Sequence, residues 1–207
     1  MMKLKNHLCF FIATAALFSF TGCLNLKMGY PAKNYFLLDA KRTDKKGDEK
    51  GPMIQVQQFR ISPRYNGKGF VYRFEKLNFE SDFYNEFFIS PDDMITEQVQ
   101  LWLSKSELFT LVTDRNSEPP PDCVLEGWIT ELYGDFRNGE TPKAVMELKF
   151  ILLGAGKSPD QILFKKRYRA DVPIKEKTSA LLAAGWNQAL ETILNQLEQD
   201  LKSISIK

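Results

Sequence analysis

From Ser179 onward, Leu182, Trp186, Ala189, Leu190, Ile193, Leu197, Leu201 and Ile204 recur at helical spacing for about six turns, with mostly polar residues between them. A helix with a single apolar stripe is not a membrane span; it must bury that stripe against another layer. Period-two segments upstream supply a sheet. Phe70, Tyr72 and Phe74 alternate with Val71, Arg73 and Glu75, and Leu77, Phe79, Ser81 and Phe83 keep the period, which predicts a β-hairpin turning near Glu75-Lys76. Tyr35 to Asp39 and Met53 to Ile61 read as strands, the second bounded by Pro52 and Pro63. Phe109 to Thr113 begins another. Three more follow at Cys123 to Phe136, Ala144 to Leu153 and Ile162 to Val172, joined by turns at Asn138-Gly139 and 154–159. Ser90-Pro91-Asp92-Asp93 starts a helix, with an N-cap hydroxyl, proline at the first helical position and acids at the positive end of the dipole. Ile95, Val99, Trp102 and Leu103 line its apolar face, and it ends near Lys105. The expected fold class is α/β, an α+β sandwich-like single domain: a mixed β-sheet with helices packed on it and a long C-terminal amphipathic helix.

The other end of the chain carries an address. MMKLKNH holds Lys3 and Lys5 with no acid, and Leu8 to Phe20 then run 13 residues, apolar apart from Thr14 and Ser19. That is the order of a secretory signal, and it falls short of the roughly 20 residues a transmembrane helix needs. Phe20-Thr21-Gly22-Cys23 follows and resembles the bacterial lipobox, in which cleavage leaves a cysteine as the acylated N-terminus. The expected organisation is a signal peptide at 1–22, a lipidated tether at 23–34 and a domain at 35–207, with Cys23 as the lipidation site. Acyl chains of this kind make attachment effectively permanent. Residue 24 is Leu and not Asp, which resembles an address on the periplasmic side of the outer membrane. LNLKMGYPAKN, the tether, reaches on the order of 40 Å when stretched, so the domain has to work close to the bilayer.

Removal of the signal leaves 185 of the 207 residues, with 26 basic against 26 acidic side chains. A chain of that balance has no long-range attraction for nucleic acid. The one histidine, His7, leaves with the signal, and with it go Ser/His/Asp or Cys/His nucleophile activation and the commonest zinc and iron sites. No cofactor and no metal is expected. Cys9 is removed and Cys23 acylated, so Cys123 stands alone, heading an apolar strand as a small buried hydrophobe.

Several motifs invite chemistry and do not carry it. Gly154-Ala155-Gly156-Lys157-Ser158 ends like a phosphate-binding loop, but Ile151 occupies the position of the first required glycine and Pro159 stands where the helix should begin, so it reads as a turn. Asp92 with Asp93 fits a helix dipole, and Glu80 with Asp82 the solvent face of a strand, better than general acid/base work. KRTDKKGDEKG, residues 41–51, is a mixed-charge surface loop and not a basic patch; DRNSEPPPD, 114–122, is a proline-rich loop. The aromatic density from Phe59 to Phe88 has two readings. Phe70, Tyr72, Phe74, Phe79 and Phe83 form the inward face of a sheet, or some of Tyr65, Tyr84, Phe87 and Phe88 form an exposed patch that docks a partner or lipid. Tyr65, in the turn-rich SPRYNGKG, is the one most expected at the surface.

YFLLD near the mature start, VQQFRISPRYNGKGFVYR, the FESDFYNEFF segment leading into the first helix, LEGWITELYGDF and the closing SALLAAGWNQALETILNQLEQDL helix come in an order that resembles the ABC-type transport auxiliary lipoprotein family. The resemblance implies a mixed sheet with helices, similar to the N-terminal domain of the Tol-system β-propeller protein. It implies a non-catalytic role beside an ABC transporter and a mammalian-cell-entry (MCE) type substrate-binding protein that moves lipids or other hydrophobic compounds between membranes, and it leaves room for a homo-oligomer. Tyr65, Arg73 and Tyr84 are the residues expected to face the MCE partner, because loop and hairpin positions should be exposed. The alternative is a lipoprotein activator or scaffold for peptidoglycan synthesis, a class that usually carries a longer tether.

Overall fold

A computed structural model describes residues 32–42, 51–114, 120–155 and 161–204, and these fall within one unit, Ala32–Lys207. Cys23, most of the charged run at 41–51 and the GKS turn lie outside the described residues.

The organising element is the long strand β7 (Cys123–Asp135). One edge pairs antiparallel with β8 (Lys143–Gly154), which pairs in turn with β9 (Ile162–Pro173). Its other edge is tiled by three short parallel strands taken in chain order: β2 (Met53–Val56) at Ile54↔Cys123, β3 (Arg60–Ile61) at Arg60↔Trp128 and β4 (Gly69–Arg73) at Tyr72↔Gly134. Beyond β4 comes β5 (Phe79–Phe87), antiparallel to it, and then β1 (Asn34–Phe36), parallel to β5. A final short strand, β6 (Leu111–Thr113), lies parallel to β2. The mixed sheet and the hairpin turn are as expected.

Helices α1 (Pro91–Ser104) and α2 (Ser179–Lys202) lie side by side against the sheet, α2 over β8 and β9. The apolar stripe of α2 is buried along its length, with the helix closing at Lys202 and Ile204 packed just beyond. Gly185 is the point of closest approach: a Cβ there would lie 2.6 Å from that of Ala144. Among the described residues no helix is long and apolar enough to cross a membrane. Cys123 is fully buried, as expected, and burial pushes its thiol up to about 12.

Four local expectations are corrected. The segment Met53–Ile61 is two strands, because Phe59 sinks onto Gly127, where a Cβ would stand 2.4 Å from the ring; the Phe59 N–H leaves the sheet for Thr96 Oγ1 at 3.0 Å. The first strand stops at Phe36. Past it the N–H groups of Asp39, Ala40 and Lys41 donate to side chains of Asn187, Gln98 and Glu191, at 2.7, 2.9 and 2.8 Å, so this stretch is a strap across both helices and not a strand. Arg42, expected in a solvated loop, ends the strap in a buried ion pair with Glu198. The Ser90 hydroxyl does not cap the helix backbone; it donates to the carboxylate of Asp93.

Candidate functional site

The β4–β5 hairpin tip is built around Arg73. Its Nε and Nη2 donate to the carbonyls of Glu75 and Lys76, at 3.2 and 2.9 Å, and Nη1 donates to the Tyr133 hydroxyl at 3.4 Å. The guanidinium therefore clamps the turn while its central carbon lies over two rings, 5.2 Å from the Phe79 ring centre and 5.8 Å from that of Tyr133. Those two rings meet edge to face at 5.7 Å, and Tyr65 stacks on Tyr133 at 6.1 Å with 18° between planes. Tyr65 reaches that place through a short 3-10 turn, Pro63–Tyr65, pinned to β7 by the Ser62 N–H on the Ile129 carbonyl at 2.9 Å.

The result is an open groove of about 490 Å³ with aromatic walls, Arg64, Arg73 and Lys76 as cations and Glu131 as its acid. Glu131 is answered from β9 by Arg169. Leu77, at the tip, is 89% exposed on the rim. Guanidinium on aromatic faces and an uncovered leucine are suited to holding a protein surface; they arrange no nucleophile beside a base. Among the described residues no three His, Cys, Asp or Glu side chains gather as metal ligands.

Tyr65 and Arg73, two of the three residues expected at a partner surface, thus share this groove, but the reason given for Tyr65 is overturned: it is 3% exposed, because stacking on Tyr133 draws it in. Burial pushes its phenol upward, and Glu131 adds to the shift. The groove members missed in the sequence are Arg64, Lys76, Leu77, Phe79, Glu131 and Tyr133. Tyr133 carried a faint signal, since Leu132-Tyr133 is an apolar pair inside an alternating strand; the register shifts between Ile129 and Glu131, and both residues of the pair are buried.

Tyr84 lies elsewhere, on a bulge of β5. Between the pairs Val71↔Ser81 and Gly69↔Glu86 the chain advances two residues on β4 and five on β5. Asp82 organises the surplus. Its carboxylate accepts from the N–H groups of Tyr84 and Asn85 at 2.7 and 3.1 Å, from Asn85 Nδ2 at 2.7 Å and from the Tyr72 hydroxyl at 2.6 Å. Phe83 and Tyr84 are thereby pushed into solvent, 67% and 40% exposed. The inward-face reading holds for Phe70, Tyr72 and Phe74 and fails for Phe83, which the bulge turns out, and for Phe79, which faces the groove. Of the four residues in the patch reading, Tyr84 and Phe88 are exposed while Tyr65 and Phe87 are buried.

Burial opposes ionisation of Asp82, but the hydrogen bonds from Tyr72, Asn85 and Tyr84 together outweigh it and hold the carboxyl below its usual range. A carboxyl depressed in the folded state contributes stability above its unfolded value, and that contribution is lost as pH falls through the folded one. Asp82→Ala is expected to cost about 1–3 kcal/mol at neutral pH, with the difference from wild type narrowing in acid; chemical denaturation at neutral and acid pH checks both.

The fold is similar to that of protein XCC0632 from Xanthomonas campestris, a DUF330 protein, at TM-score 0.71 and 15% identity over 82% of this chain and 99% of that one. An uncharacterized protein superimposes at TM-score 0.59 and 17% identity, over 81% and 99% of the two chains. The hypothetical protein CT253 from Chlamydia trachomatis does so at 0.51 and 8%, over 73% and 98%. At such identities the likeness is one of fold. No family model matches the chain by sequence, and no curated protein does.

Proposed function

We propose that this chain is a non-catalytic lipoprotein of the bacterial envelope, a 35–207 domain tethered by 23–34 to a lipid on Cys23 after loss of a 1–22 signal, and that it acts by contact within an intermembrane transport system. The partner is an MCE-type protein working with an ABC transporter, and the membrane is the outer one, on its periplasmic side. One observation carries the contact reading: Arg73 held over the Phe79 and Tyr133 rings with Leu77 uncovered beside them. Arginine and aromatic anchors dominate the energetics of protein interfaces; here Arg73 and the accessible Phe79 face the partner, while the buried Tyr65 and Tyr133 hold them in place from beneath. The resemblance of the segment order to the auxiliary lipoproteins supports the choice of partner.

Leu77 gives the cleanest test, because a residue so exposed at a hairpin tip can be replaced with little effect on folding. In intact cells, crosslinking from the hairpin tip is expected to join the chain to the MCE protein, and Leu77→Glu is expected to reduce that product at least about tenfold. An unchanged yield would refute the groove as the contact surface. Crosslinking to a peptidoglycan synthase instead would refute the transport role.

A further inference from the structure

The β1–β5 edge carries a second apolar feature that the groove does not explain. Within β1 the Phe36 ring packs on Phe70 at 5.0 Å, and two residues on Leu38 is buried, so the alternate residues Tyr35 and Leu37 face outward and are exposed. On β5, Phe87 fills the core against Phe70 and Trp186, which leaves Phe88 outside at 59% exposure, its ring edge to face with Tyr35 at 6.2 Å. The bulge adds Phe83 and Tyr84, themselves in edge contact at 5.2 Å. Lys33 binds the group together: its Nζ lies 4.3 Å from the Phe83 ring centre and pairs with Glu86, cancelling the charge of that carboxylate. Lys68 borders the patch, donating from Nζ to the Phe88 carbonyl at 3.1 Å.

We propose that Tyr35, Leu37, Phe83, Tyr84 and Phe88 form a surface that seats the domain in the headgroup region of the bilayer to which it is tethered. The inference rests on the lipidated Cys23 of the reading above. Two observations select a bilayer over another protein, and a third shows that the exposure is built into the fold. Lys33 is only ten residues past Cys23, a reach of about 35 Å at full stretch, so this edge is the part of the domain that the anchor keeps closest to lipid. Rings with a polar tip or a neighbouring cation are the composition that settles at a membrane–water boundary. The Asp82 cradle commits four hydrogen bonds to projecting a phenylalanine whose ring stays mostly in solvent.

Reporter tryptophans test it in the full acylated protein, reconstituted into vesicles of phosphatidylethanolamine and phosphatidylglycerol with brominated acyl chains. Phe83→Trp reports from the patch and Ile162→Trp from a comparably exposed site on β9, at the opposite edge of the sheet from β1. Measured as the increment over the wild-type protein, whose Trp102, Trp128 and Trp186 emit in every variant, quenching added by the Phe83 reporter is expected to be at least about threefold that added by the Ile162 reporter, and replacing Tyr35 and Phe88 by Ser in the same protein should abolish the difference. Equal quenching with Cys23 acylated by mass spectrometry would overturn the inference and leave the anchor standing. A Phe83 reporter shielded only as protein concentration rises would overturn it in favour of a second copy of this chain. An unmodified Cys23 would overturn the anchored reading and this inference with it.

Discussion

Trp186→Ala is expected to remove about 3–5 kcal/mol of stability, roughly 6–20 °C in Tm for a domain of this size. Trp186 is fully buried where α2 meets two parts of the sheet at once. Its Nε1 donates to the Val145 carbonyl of β8 at 3.2 Å, and its ring stands 4.7 Å from Phe70 of β4 and 5.3 Å from Phe87 of β5. Gly185, one residue before it, already brings the helix into close contact with Ala144, which opposes a movement of the helix toward β8 to fill the space the indole leaves. Most of the cavity penalty should therefore appear. Because Phe87 is directly followed by the exposed Phe88, the same substitution is expected to loosen the β1–β5 edge before the β7–β9 meander. Hydrogen exchange resolved by segment, alongside thermal unfolding, checks both; a loss below about 1 kcal/mol would mean that the helix is not keyed to the sheet at this point.

Glu198→Ala should be comparably damaging for an electrostatic reason, at about 3–5 kcal/mol. Glu198 is 6% exposed yet charged, and it accepts from three elements: Arg42 of the strap, Trp102 Nε1 of α1 at 3.0 Å and Lys202 of α2 at 2.8 Å. Arg42 also lies over the Trp102 ring at 5.3 Å. Burial alone would raise the Glu198 carboxyl, but the bonds from Arg42 and Lys202 outweigh it and hold it below its ordinary range. Deleting the carboxylate leaves the Arg42 guanidinium out of water without this partner, and the strap loses its ion pair to α2. Glu198→Gln keeps an acceptor for the indole and should lose less than Ala. Since the folded value lies below the unfolded one, the advantage of wild type over either variant is present above about pH 4 and disappears as pH falls through the folded value. Urea titrations at neutral and acid pH measure this; an advantage that grew in acid would contradict the assignment.

Much of the fold is legible in the chain because burial on one face writes a period into it. The α2 stripe, the β7–β9 meander and the β4–β5 hairpin each declare themselves by spacing, and Cys123 by its apolar neighbours. The failures have particular causes. Phe59 looks like one more residue in an alternating strand, and only contact with Gly127 of β7 shows why the strand breaks there. Arg42 sits among like residues in a charged run, and its partner Glu198 lies 156 positions away. The alternation of Leu77, Phe79 and Ser81 extends by spacing to Phe83, whereas the consecutive pairs Phe83-Tyr84 and Phe87-Phe88 mark a strand that cannot keep every ring on one side.

The candidate site divides in the same way. That Tyr65, Arg73 and Tyr84 belong to a surface-forming stretch can be inferred locally, from turn residues and a hairpin. Which of them meet cannot, since Tyr133 joins Tyr65 to Arg73 from a distant strand and Asp82 carries Tyr84 away on a bulge. Spacing along the chain set the period of each element, and so the layers. Exposure was settled in three dimensions, because whether a ring is covered depends on residues remote in the chain that no local pattern records.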